Sequence, residues 1–475
     1  MSGSLKDIKV KVEGQQEQSI SLYEKSRKLY PRDVRGIFAK WRLLFLFGTQ
    51  LFYLGMPWVT WHGRQALLFD LVNRKFYLFG LTIWPQDFVY LSALLMVCAF
   101  GLFLWTTIAG RLWCGYACPQ TVYTEVMLWI ERLIEGNHVQ RMKLDKQSMN
   151  GRKFAIKSVK HGLMILFSLW TGFTLVGYYT PIRDLVAAAP TFDYGPWETF
   201  WIFFYAGFTY LFAAHMREQV CKYMCPYARF QSVMFDRDTL IISYDEARGE
   251  PRGARKKGID PATVDLGSCI NCGICVQVCP VGIDIRDGLQ YECIGCAACI
   301  DGCDEVMDKM GYPRGLISYT TENVQEGKFS REQIPHRILR PRVIMYSVVL
   351  LAVLATAGTA FYLRLPFKVD IIRDRASLVR ETDDGWLENS YSIRIMNVTD
   401  QPQHFTVKVD GLPDLRLQTD EKEITVRPGD NRLVGLRVQA EPEVATKGSH
   451  EIHFTVTQVE DPSLKTREKS SFIGE

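Results

Sequence analysis

The chain has 475 residues, with 56 Lys plus Arg against 52 Asp plus Glu and a formal net charge of +4. Its mean hydropathy of −0.04 conceals long apolar runs set between very polar stretches, a segregation that excludes one ordinary soluble domain. The small positive excess comes with no aromatic-interleaved basic strip, which argues against nucleic-acid binding. No Gly-rich phosphate loop followed by Lys-Ser/Thr and no Cys-x2-Cys-His run is present, so a nucleotide-driven pump and a covalent c-type haem are excluded too.

Residues 1–37 are polar and charge-mixed without a sustained period and are expected to form a flexible arm, ending in an interfacial segment around Tyr30 to Trp41. Residues 38–236 hold four apolar runs, 43–61, 88–109, 162–180 and 197–214, and a fifth lies at 343–363. Each has about 20 mostly apolar residues, enough for a helix to cross a hydrocarbon core roughly 30 Å thick. The first apolar run follows 42 polar residues, so it is expected to act as a retained signal anchor rather than a cleaved signal peptide. Lys plus Arg number ten before the first run, three after it, nine after the second and one after the third. By the positive-inside rule the N-terminus and the segments after the second and fourth runs face the cytoplasm, and the tail after Leu363 lies outside. Cysteine usage agrees: of 13 cysteines, Cys98 lies in a run, the other 12 fall on the expected cytoplasmic side, and the tail has none. Cys98 itself is expected to be a small buried hydrophobe.

The second and fourth runs each end in Cys-x-Tyr-x-Cys-Pro, with Cys114, Tyr116, Cys118 and Pro119 matched 107 residues later by Cys221, Tyr223, Cys225 and Pro226. This repeat predicts two paired hairpins and a pseudo-symmetric four-helix core. Proline is favoured at a first helical position, so Cys118 and Cys225 are expected at helix N-caps, where the helix dipole favours thiolate. Four sulfurs converging at the membrane edge would suit copper(I), zinc or a further iron–sulfur cluster, and a dithiol/disulfide couple is equally allowed. His161 opens the third run and His215 closes the fourth; they are candidate accessory ligands beside their commoner role as interfacial anchors. After the first motif, residues 121–134 place Val122, Val126, Trp129, Ile130 and Leu133 at helical spacing, which predicts a helix lying along the membrane surface.

Residues 237–257 are hydrophilic and punctuated by Gly and Pro, as a linker would be, and lead into a domain at 258–320. There two runs of Cys-x2-Cys-x2-Cys-x3-Cys stand 24 residues apart: Cys269, Cys272, Cys275 and Cys279, then Cys293, Cys296, Cys299 and Cys303. Three close thiols with a remote fourth, repeated, favour iron–sulfur over structural zinc, which usually takes two separated pairs. In two-cluster ferredoxins the last cysteine of each run crosses over. That rule assigns Cys269, Cys272, Cys275 and Cys303 to one [4Fe-4S] cluster and Cys293, Cys296, Cys299 and Cys279 to the other. Gly273 and Gly295, inside the loops, let backbone N–H groups approach the cluster sulfurs. A return segment at 321–342 precedes the fifth run. Residues 364–475 then alternate β-formers over 391–396, 404–409, 422–426, 432–438 and 450–456, the pattern of an immunoglobulin-like β-sandwich without a disulfide. The expected architecture is thus a multi-domain membrane protein: five transmembrane helices, a cytoplasmic two-cluster ferredoxin domain and an external β-domain.

The strings GRLWCGYACPQTV from Gly110 and CKYMCPYARFQ from Cys221, and the eight-cysteine module ending CDEVMDKMGYP from Cys303, resemble the FixG/CcoG/RdxA-type cytochrome c oxidase accessory proteins, bacterial membrane polyferredoxins, over nearly the whole chain. The resemblance implies an inner-membrane protein that helps mature the cbb-type oxidase, its partners being oxidase assembly factors, a copper-export ATPase and a cytoplasmic electron donor. It implies reduction of cytoplasmic copper(II) to copper(I), a possible copper reductase activity, with Cys114, Cys118, Cys221 and Cys225 binding copper or relaying electrons to it. Two other classes stand beside it: a quinol-linked subunit feeding a periplasmic reductase, and an assembly scaffold that its clusters merely stabilise.

Overall fold

The structure, a computed structural model, describes residues 8–9, 19–20, 28–374, 379–399 and 401–474; most of the arm expected at 1–37 lies outside them. Two compact units partition the chain. One comprises Met1–Leu44, Ala109–Leu163 and Met216–Ile334, the other Phe45–Ile108, Met164–His215 and Pro335–Glu475.

Three helices among the described residues are long and apolar enough to cross a membrane: Phe88–Ala109, Gly151–Val176 and Pro341–Tyr362. They correspond to the second, third and fifth expected runs, although the third starts well before residue 162. Cys98 is exposed rather than buried, because it lies in the apolar stretch of the Phe88–Ala109 helix, none of which is buried inside the protein. The first run differs from expectation. Its helix is Ile37–Gly55, followed by a 3-10 turn at Met56–Trp58 and a strand at Thr60–Trp61. Pro57 has no N–H to continue the helical ladder and disfavours helix in the residue before it, so the run breaks short of residue 61. The fourth run is an α-helix over Pro196–Thr209 that widens into a π-helix over Tyr210–Met216.

In the first unit the helix Pro119–Glu135 buries Val122, Tyr123, Met127 and Leu128 together with Glu131 and Glu135, whereas Leu133 is 82% exposed. The buried face is therefore not the one expected from apolar spacing. Cations from elsewhere in the fold decide it: Glu131 meets Arg217 at 2.5 Å, Arg141 at 3.1 Å and Lys160 at 3.5 Å, and Glu135 meets Lys157 at 2.7 Å and Lys160 at 3.0 Å. The stretch 237–257, expected as a connector, supplies the fully buried strand Ile241–Tyr244. This strand pairs antiparallel with Ile317–Thr320, Ile242 opposite Tyr319, and the two clamp the cysteine-bearing loops between them in sequence.

In the second unit, residues 59–83 fold into small antiparallel sheets, Leu67–Asp70 with Lys75–Leu78 and Lys75–Leu78 with Leu81–Ile83. Gln65 ties them to the following helices by donating to Gly177 O at 2.7 Å and accepting from Ile182 N at 3.0 Å. Beyond the Pro341–Tyr362 helix lies a β-sandwich. One sheet has the order Phe367–Arg373, Leu387–Asn397, Asn431–Ala440, Arg416–Thr419, with Arg380–Glu381 on the second strand; the other runs Ile424–Val426, Gln403–Asp410, Gly448–Gln458, Lys465–Gly474. Alternate residues of the long strands point inward, and Phe367, Tyr391, Ile393, Phe405, Val438, Phe454 and Phe472 form the core. All five expected strands are present; those at 367–373, 416–419 and 465–474 are additional, the first alternating apolar Phe367, Val369 and Ile371 with Lys368 and Asp370.

Candidate metal centres

The two cysteine runs adopt matching loops. In the first, Asn271 and Gly273 have φ of +54° and +66°; in the second, Gly295 and Ala297 have φ of +69° and +58°. These are equivalent positions, 24 residues apart, and in each loop the left-handed turns wind the chain so that successive cysteines face one side. Glycine meets the requirement without strain at one position of each pair. Short helices follow, Ile274–Gln277 and Ala298–Met310.

Around these loops lie two cavities. Cys269, Cys272, Cys275 and Cys303 line one, with Met307 and Ile317 among its walls. Cys279, Cys293, Cys296 and Cys299 line the other together with Cys275, against Ile242 and Val281. Each cavity thus gathers three cysteines of one run and the last cysteine of the other, the arrangement the crossover rule assigns. Among the described residues no carboxylate or imidazole lines either one, and an all-sulfur donor set, with Tyr244 and Arg286 beside it in the first cavity and otherwise mainly apolar walls, suits iron–sulfur and not hard cations. Burial pushes the Cys275 thiol up to about 11 and those of Cys293 and Cys303 up to about 12, and it also raises Cys279 and Cys299. Such thiols stay neutral at neutral pH unless a metal compensates the thiolate; the four-cysteine lining of each cavity is what fits an iron–sulfur group.

The first Cys-x-Tyr-x-Cys-Pro motif lies against the second cavity. Its short helix Leu112–Tyr116 packs so closely on the cysteine loop that a Cβ on Gly115 would stand 2.7 Å from Cys296 Cα and 2.8 Å from Cys296 N. Cys114 and Cys221 share one apolar cluster with Cys279, Cys293, Cys296 and Cys299. Cys118 and Cys225 occupy helix N-caps before Pro119 and Pro226. The thiolate expected at these caps is not favoured at Cys118: burial outweighs the backbone N–H groups of Thr121 and Gln120, and its pKa is raised. Burial also raises Cys114, and it pushes Cys221 up to about 12, where Cys118, Cys114 and Cys225 add to the effect. Among the described residues no three His, Cys, Asp or Glu side chains are drawn tightly around a single-ion position; the four motif thiols share a neighbourhood without closing on one point. His161 is half-buried in the Gly151–Val176 helix, and His215 packs edge-on to Tyr210 at 5.0 Å. Neither lines a cysteine cavity.

Three further residues belong to this site. Gln231, fully buried, accepts from Arg111 Nε at 3.1 Å and from Cys114 Sγ at 3.3 Å. Arg111, 4% exposed, also donates to the Tyr291 carbonyl. Tyr319 donates to Gly295 O at 2.7 Å and lies 3.4 Å from the Tyr116 hydroxyl. The signal available in sequence was Arg111, an unpaired charge directly after an apolar run and three residues before a cysteine.

Residues 216–322 match the 4Fe-4S dicluster domain, 91–136 a 4Fe-4S binding domain, and 357–475 the "IG-like fold at C-terminal of FixG". The nitrogen fixation protein FixG of Rhizobium meliloti is 34% identical over 94% of this chain and 92% of its own length. The chain belongs to the FixG/RdxA family. Protein RdxA of Cereibacter sphaeroides is 37% identical over 83% of the chain and 85% of its own length. The ferredoxin-type protein NapH of Haemophilus influenzae is 21% identical over 46% of the chain and 68% of itself. This member of the FixG/RdxA family is an iron–sulfur protein with membrane-type apolar helices and an Ig-like C-terminal domain.

Proposed function

We propose that this chain is an inner-membrane electron carrier in the assembly of the cbb-type cytochrome c oxidase, passing single electrons to cytoplasmic copper(II) so that copper(I) is delivered toward the oxidase. The observation that carries the proposal is the packing of Cys114 and Cys221 in one apolar cluster with the cysteines of the second cavity, sealed by the contact of Gly115 with Cys296. Electron transfer falls steeply with distance, and here the membrane-edge thiols and the cysteine cavities are next neighbours. Cys269, Cys272, Cys275 and Cys303 would hold one [4Fe-4S] cluster and Cys279, Cys293, Cys296 and Cys299 the other, which together store and release electrons one at a time. The chain's own part is to bury these groups against water and to hold Cys114, Cys118, Cys221 and Cys225 where a soft metal can approach. Each copper(II) reduced takes one electron, resupplied by a cytoplasmic donor. The clusters and N-terminus face the cytoplasm and the β-domain the periplasm, as the basic residues around Arg111 to Lys160 favour. A copper-export ATPase and oxidase assembly factors are the proposed partners.

A second reading is a quinol-linked subunit feeding a periplasmic reductase, with which likeness to the ferredoxin-type protein NapH over less than half the chain is compatible. Against it, the C-terminal sandwich buries an apolar core and brings no ligand cluster together among its described residues. The deciding experiment uses anaerobically purified, chemically reduced full-length protein, with copper(II) added and copper(I) read by a chromophoric chelator. The double variant Cys114→Ala/Cys221→Ala is expected to lose copper(I) formation with iron content intact. Unchanged reduction in that variant would remove these thiols from the pathway.

A further inference from the structure

We propose that a cavity in the first unit, bounded by residues 31–43, the Pro119–Glu135 helix and residues 278–280, binds a phosphate-bearing anion. Its cavity volume is about 140 Å³, and four guanidinium groups line it, Arg32, Arg42, Arg132 and Arg141, beside the carboxylates of Asp33 and Glu125. Two of them are already neutralised. Arg132 pairs with Asp33 and Glu125, and Arg141 bonds Glu131 at 3.1 Å and the Pro31 carbonyl at 2.8 Å. The side chains of Arg32 and Arg42 have no ion pair or hydrogen bond among the described residues. Moreover, Arg42 Nε and Arg141 Nε are buried without an acceptor, and buried guanidinium donors left in this state call for an acceptor from outside the chain. The forks of Arg32 and Arg42 together with the Arg141 Nε–H line one cavity from two segments, a donor set that suits the three oxygens of a phosphate better than a flat carboxylate. Leu43, Leu128 and Trp129 form the apolar part of the wall, against which the carbon portion of a phosphate ester can rest. An anionic phospholipid head group and a soluble phosphate ester share this chemistry.

The cavity adjoins the second cysteine cavity, since Val278 and Pro280 of the one flank Cys279 of the other. On the iron–sulfur assignment above, an anion seated on Arg42 offsets the positive charge that favours an added electron, and the second cluster's reduction potential falls. Occupancy would then tune the electron carrier.

The test uses purified full-length protein in nanodiscs of phosphatidylcholine with or without phosphatidylglycerol, bound lipid being counted by native mass spectrometry, and in detergent with inorganic phosphate and glycerol 3-phosphate titrated by calorimetry. The Arg32→Gln/Arg42→Gln variant is expected to lose about ten- to a hundredfold in affinity for the probe that binds, Arg42→Lys to recover part of it, and Arg314→Gln, remote from the cavity, to match the wild type. Retention of phosphatidylglycerol alone identifies the lipid source, and binding of the soluble phosphates the other. Wild-type behaviour of the double variant, or no binding of any probe, overturns the site; if the double variant does not fold, Arg32→Gln and Arg42→Lys make the same comparison. These readouts need no cluster, so they decide the site whatever becomes of the electron-carrier proposal, and binding that leaves the second cluster's potential unmoved overturns the coupling.

Discussion

At the scale of single residues, burial wins over local backbone electrostatics. Cys118 sits at a helix N-cap, where partial positive charge lowers a thiol pKa, yet desolvation raises it. The same balance comes out the other way at Glu131. Burial would raise its pKa, but Arg217, by charge and hydrogen bond, and then Lys160 bring it down to about 2. A carboxylate depressed in the folded state stabilises the fold above its unfolded pKa of about 4.5. That contribution is lost as pH falls from there toward 2. Glu131→Gln leaves Arg141 and Arg217 short of a partner and is expected to cost about 3–5 kcal/mol at neutral pH; between pH 4.5 and 2 the variant's chemical-denaturation midpoint is expected to depend less on acid than that of the wild type, by the share that Glu131 contributes. Gly115 is held to its identity by the Cys296 backbone. Gly115→Ala is expected to destabilise by about 1–3 kcal/mol and to diminish the second cluster's paramagnetic signal while the first cluster's persists.

At the scale of elements, the chain's helices are set by contacts distant in sequence. The first turn of the Ile37–Gly55 helix has its N–H groups met by a residue some 260 positions away, Asp301, which accepts from Phe38 N at 3.3 Å and Ala39 N at 2.7 Å. Gly36 permits the approach, because a Cβ there would fall 2.1 Å from Asp301 Oδ1. Asp301→Ala is expected to cost about 1 kcal/mol, and hydrogen exchange of the amides at 37–41 should quicken about fivefold while those at 48–55 are unchanged. The Pro119–Glu135 helix teaches the same lesson. Its apolar spacing named one face, but cationic partners on other segments took the Glu131 and Glu135 side inward. An i, i+4 pattern cannot foresee partners that sequence distance hides.

At the scale of the whole molecule, the cysteine cavities and the β-sandwich belong to different compact units, so loss of the sandwich is expected to leave the metal-dependent part folded. The sandwich core is built mainly of apolar side chains, with Phe454 fully buried against the Tyr391 ring at 5.0 Å. Phe454→Ala is expected to remove about 3–5 kcal/mol from that domain, lowering its calorimetric transition while iron content stays at the wild-type level. An equal loss of iron would show that the domain supports the cysteine loops. The eight-cysteine runs, the repeated Cys-x-Tyr-x-Cys-Pro, the apolar stretches and most strands of the sandwich were all legible in the sequence, because each is a local pattern: ligand spacing, period-two alternation, or sustained apolarity. The tertiary structure alone decided that Gly115 touches Cys296, that Gln231 binds both Cys114 and Arg111, that the fourth run widens within 210–216, and that four arginines from three segments line one cavity. The reason is physical: a spacing constrains residues joined by a few bonds, whereas burial, charge pairing and close backbone approach depend on which remote segments the packed chain brings together.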